Sequence, residues 1–93
     1  MASKKNLKKD IDYLITDLIL DCYACMEDHP EKDMSSYEEI INGIMTIKDD
    51  LVERINHYDS AIHGKSRVYF LKIKKDLISG ITDAYEKLTK LGC

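Results

Sequence analysis

The sequence lacks any apolar stretch long enough to cross a membrane. Its longest uncharged run, residues 40–47, is only eight residues, against the roughly 18 that a spanning helix requires. Basic excess is also missing: 14 Lys and Arg against 17 Asp and Glu give a net charge of −3, whereas nucleic-acid binders usually carry a strong basic surplus. No nucleic-acid or membrane partner is therefore expected. There are three cysteines, an odd number with no regular spacing, so the expectation is free thiols in a reducing compartment, the cytoplasm, rather than a disulfide framework. The lysine-rich start leads directly into an Asp-bearing helix and carries no recognisable targeting signal. Internal repeats, low-complexity segments and strand-like alternation are all missing. Ninety-three residues leave room for one domain, able to bury roughly 60 to 70% of its unfolded surface.

What is present is helical periodicity. Phe70, Ile73, Leu77, Ile81, Ala84, Leu88 and Leu91 fall within about 40° of Leu77 at 100° per residue, a stripe that a strand cannot produce. Leu7, Ile11, Leu14, Leu18, Cys22 and Cys25 step by three and four, with Ile15, Ile19 and Met26 widening the band. Tyr37, Ile40, Ile44, Ile47, Leu51, Ile55, Tyr58 and Ile62 form a third. Hydrophobic content of 44% and charge of 33% are ordinary for a globular chain.

Local signals set the expected boundaries. Residues 1–5 are read as a frayed tail, because lysines at a helix start oppose the macrodipole. Asn6 is a candidate N-cap for a helix over about 7–27. Pro30, the single proline, disfavours helical geometry at His29 and ends it. Ser35 and Ser36, each with a glutamate three residues on (Glu38, Glu39), are alternative capping-box openings for the second helix. That helix is expected to run to about His57 or His63 before a left-handed stop at Gly64. Ser66 is expected to cap the third, which ends at Gly92; Gly43 and Gly80 are read as tolerated within their helices. Three long helices with short connections predict an all-α, up-down-up three-helix bundle as a single domain.

The segments Lys4-Lys5-Asn6-Leu7-Lys8-Lys9-Asp10-Ile11, Asp21-Cys22-Tyr23 and His29-Pro30-Glu31-Lys32 resemble short uncharacterised all-helical proteins of Bacteroidetes bacteria, over about a third of the chain. The resemblance implies a bacterial cytoplasmic helical protein and carries no activity with it.

Four ligand-type residues invite a metal reading. Cys22-Tyr23-Ala24-Cys25 is a C-x-x-C followed by His29, and on a helix the three lie within about 60° of one another. The up-down-up order brings Cys93 to the same end, so Cys22, Cys25, His29 and Cys93 are the candidate set for a tetrahedral zinc. The bland alternative is that both cysteines, lying on the apolar stripe, are small buried hydrophobes with raised pKa values. Redox catalysis is disfavoured, because these thiols lie near a helix C-terminus that destabilises a thiolate. No cofactor is expected, with zinc as the alternative.

Asp59 to Ser66 misses the first glycine of the phosphate-loop pattern G-x-x-x-x-G-K-[ST] and follows a helix where that loop requires a strand, so nucleotide hydrolysis is discounted. Lys65, Ser66 and Arg67 remain a candidate anion or partner site at a helix N-terminus, against the bland reading of a capped turn with solvated charges. His29, His57 and His63 have no acid or nucleophile that spacing places around them. Without a Ser-His-Asp order, a paired-carboxylate site or an H-E-x-x-H, the chain is expected not to be an enzyme.

Charge separates along the bundle. Residues 1–10 and 54–72 carry eight bases against two acids, giving +6; residues 21–40 and 83–93 carry three bases against nine acids, giving −6. Solvated charge is one explanation and an electrostatic docking surface the other. The helices also carry apolar shoulders beside their stripes: Ile41, Met45 and Val52 on the second, and Leu71, Ile78 and Tyr85 on the third, with Tyr13 and Leu20 on the outer face of the first. Leftover apolar surface marks partner sites, so a two-fold homodimer through a shoulder of the second or third helix is expected. The function expected is a helical protein–protein interaction module, the alternative being a metal- or anion-binding regulatory protein.

Overall fold

The computed structural model describes residues 4–92, without the side chain of His63. Helices α1 (Lys4–Asp28), α2 (Met34–Asn56) and α4 (Ser66–Lys90) are long, and α3 (Ser60–His63) is a single turn between the last two. No strand occurs among the described residues. The three long helices form the up-down-up bundle that their periodicity predicts, elongated at 52 × 19 × 17 Å.

Cross-helix contacts fix the registers. Lys48 pairs with Asp12 at 3.1 Å and Tyr37 meets Cys25, so numbering falls along α2 as it rises along α1. Arg54 pairs with Asp76 at 2.9 Å and Ile47 faces Gly80, so α4 runs antiparallel to α2. Tyr85 reaches Asp21, which sets α1 and α4 parallel. The core is a single cluster that includes Ile11, Leu18 and Cys22 of α1, Ile44, Leu51 and Ile55 of α2, and Ile73 and Leu77 of α4. Each comes from a predicted stripe, because positions three and four apart project from one side of a helix.

Several boundaries differ from expectation. Helix α1 starts at Lys4 rather than Leu7, so Asn6 is inside the helix and does not cap it; of the expected tail, residues 1–3 lie outside the described residues. Neither serine caps α2. The cap is Asp33, whose carboxylate accepts from the Ser35 amide at 3.1 Å, an acid side chain two residues before Ser35 meeting the free N–H groups of the helix start. Hydrogen bonding from the Ser35 side chain, and then from its amide, holds the Asp33 carboxyl below its usual pKa. Helix α2 stops with His57 as its C-cap, and Asp59 opens the one-turn α3 by accepting from the Ala61 amide. Because the chain breaks between the two, Ile62 leaves the stripe and is 76% exposed. Ser66 is likewise not a cap: Lys65 holds the cap position of α4, with no side-chain hydrogen bond to the helix. Helix α4 ends at Lys90, with Leu91 as C-cap.

Candidate interaction surface

Most of the exposed apolar side chains lie on or beside α1; Ile62 of α3 and Val68 at the start of α4 are exposed as well. On α1 itself Tyr13 is 74%, Leu20 59% and Tyr23 52% exposed. The Lys48–Asp12 pair puts one flank of α2 beside α1, and Met45 of that flank is exposed. The Tyr85–Asp21 bond puts one flank of α4 on the other side of α1, and Leu71 and Ile78 of that flank are exposed. On the other side of the bundle α2 and α4 are joined by Arg54–Asp76 and by the close approach of Gly80 to Ile47.

The predicted shoulders therefore divide. Ile41, Val52 and Tyr85 are half-buried and pack on the core. Met45, Leu71 and Ile78 stay at the surface. They lie on two different flanks of α1, whose outer face separates them. Tyr13 and Leu20 point outward as their positions on the helix predict. Tyr23 joins them without having been predicted, because it sits inside the C-x-x-C and reads there as a spacer; its spacing from Tyr13 and Leu20 was the available signal.

Three of the four predicted metal ligands, Cys22, Cys25 and His29, lie among the described residues, and they do not form a metal-holding group there. Cys22 is a free, fully buried thiol. Burial, then the charge of Asp21, pushes its pKa up, the opposite of what a thiolate ligand needs. Cys25 is disulfide-bonded, which corrects the expectation of three free thiols and removes its sulfur as a thiolate donor. Having no hydrogen of its own, that sulfur accepts from the Tyr37 hydroxyl at 3.4 Å. His29 turns Nδ1 to Glu31 at 3.3 Å, and Cys93 lies outside the described residues. Among the described residues no three His, Cys, Asp or Glu side chains gather as a metal-holding group.

The basic end is organised by aromatic packing. Tyr58 lies 5.1 Å from Tyr69 and 5.2 Å from Phe70, centroid to centroid. The Tyr69 hydroxyl donates to the Arg54 carbonyl at 2.9 Å, and Lys4 Nζ sits 5.9 Å from the Tyr58 ring centre. Lys65, Ser66 and Arg67 are exposed beside this cluster, at the start of α4. His57 stands at the end of α2, and the side chain of His63 lies outside the described residues. No helix is long and apolar enough to cross a membrane among the described residues.

Comparison with protein-family models, with curated proteins and with solved structures finds no match.

Proposed function

We propose that the chain is a non-enzymatic helical interaction module that associates with itself and with a protein partner. The observation that carries this reading is the exposed apolar surface centred on α1, with Tyr13, Leu20 and Tyr23 flanked by Met45 on one side and Leu71 and Ile78 on the other. Scattered single apolar residues are normal on a protein surface, whereas a clustered set marks a place where something docks. The charge separation between the two ends supports the same reading, since it orients an approaching partner. A cytoplasmic setting and the kinship with Bacteroidetes helical proteins belong to this proposal. The first is the more exposed to refutation, because the disulfide at Cys25 is unusual in a reducing compartment.

The test is affinity capture from native lysate with wild-type protein, Leu20→Lys, Ile78→Lys and the control Ser79→Ala, an exposed position of α4 turned away from Leu71 and Ile78. A partner held by wild type and Ser79→Ala but lost with either apolar-to-lysine variant supports the module. Capture indifferent to both substitutions, or no specific capture, overturns it.

A further inference from the structure

We infer that the outer face of α1 is a self-complementary seam that pairs antiparallel with α1 of a second copy of this chain. The inference rests on the interaction-module reading and names its surface and occupant. Lys9, Tyr13, Thr16, Leu20, Tyr23 and Glu27 are all exposed, and they step by 4, 3, 4, 3 and 4. That is the 3.5-residue repeat by which two helices keep a continuous line of contact. The core stripe of the same helix occupies the opposite side, so α1 carries two seams and the bundle uses one.

Charge selects the occupant and its direction. The four lysines of α1 are all at its start, Lys4, Lys5, Lys8 and Lys9, and from Asp10 onward the helix has six acids and no base. In a parallel pair Lys9 would face Lys9 and Glu27 would face Glu27. In the antiparallel register centred at Leu18, Lys9 meets Glu27 of the second copy at both ends. Tyr13 meets Tyr23, and Thr16 meets Leu20, each twice. This is the isologous arrangement a two-fold axis demands. It also answers a local conflict: basic residues at the start of α1 and acidic ones at its end both oppose the helix macrodipole. An antiparallel copy sets carboxylates beside that start and lysines beside that end.

Size sets the strength. Helix α1 is about 37 Å long and about 10 Å wide, so its outer face alone is small beside the roughly 800 Å² per partner of a standard interface. Met45 and Ile78 on the flanks widen it. The contact falls at the weak end of specific interfaces, and a dissociation constant in the micromolar range follows. One pair works against it, since the two Asp17 side chains lie beside the axis on the same flank.

Sedimentation equilibrium from about 1 to about 100 μM spans that range. Wild type is expected to shift from monomer to dimer mass. Leu20→Lys should remain monomeric while keeping its unfolding midpoint, because the site is exposed. Lys9→Glu and Glu27→Lys should each weaken the dimer about tenfold, since each sets like charge against like. The double swap should restore it, and Asp17→Asn should strengthen it. A wild-type monomer at every concentration, a dimer untouched by Leu20→Lys, or a double swap that fails to rescue overturns the seam. A monomer that still captures a partner in the lysate experiment would overturn the seam alone and leave the module standing.

Discussion

The Tyr85 hydroxyl donates a 2.7 Å hydrogen bond to Asp21 Oδ2, tying α4 to α1 across 64 residues of chain. Burial first, and then the bond to the Asp21 carboxylate, pushes the Tyr85 pKa up from 10.0 to about 12. A group with a folded pKa above its unfolded value contributes stability that is complete below the unfolded pKa and lost as pH rises through the folded one. The window is therefore pH 10 to about 12. Tyr85→Phe should lower stability at neutral pH and flatten its decline across that window, as followed by denaturant unfolding at stepped pH. Parallel alkaline curves for the two proteins would refute the assignment.

Leu77 is fully buried at the centre of α4. Leu77→Ala should cost about 2 to 5 kcal/mol, the sum of lost transfer energy and the cavity left behind. Lys75→Ala, at an exposed position of the same helix, should change the urea midpoint little. Equal midpoints for the two variants would contradict the central place of Leu77 in the core.

The two mid-helix glycines should respond differently to alanine. A Cβ at Gly43 meets nothing within 4 Å, so Gly43→Ala should stabilise by up to about 1 kcal/mol through helix propensity alone. At Gly80 the same Cβ would lie 3.0 Å from Ile47 Cδ1, and moving the isoleucine offsets part of that gain. Thermal unfolding should rank Gly43→Ala above Gly80→Ala; the reverse order would mean that α2 and α4 do not approach closely there.

Thiol chemistry separates the cysteines. Cys22, free and buried, should resist thiol reagents in folded protein and react on unfolding without reductant. Cys25, being disulfide-bonded, should react only after reduction. Elemental analysis of purified protein is expected to find no stoichiometric zinc, and a chelator should leave the unfolding midpoint unchanged, since a structural zinc contributes its binding energy to folding. Fast labelling of Cys22 in the native state, or one zinc per chain, would contradict this.

The helices and their buried stripes were legible because both are written locally. Leu7, Ile11, Leu18, Ile44, Leu51, Ile73 and Leu77 are core residues for the same reason they are readable: three- and four-residue spacing puts them on one side of a helix. Caps were less legible. Asp33, Ser35 and Ser36 all have side chains able to accept from free amides at the start of α2, and only the backbone path shows that Asp33 is extended while the serines are already helical.

By itself the sequence determined three amphipathic helices, their single core and the opposite charges at the two ends, since periodicity and chain order suffice for each. The tertiary structure decided what lies beside each helix. It half-buried the Ile41, Val52 and Tyr85 shoulders against the core and left Met45, Leu71 and Ile78 uncovered. It also released Ile62 from the core by breaking the helix after Asn56, and set Gly80 against Ile47. The physical reason is that a stripe fixes which side of a helix points inward, while the fate of its flanks depends on where neighbouring helices stand, and no single helix's periodicity contains that distance.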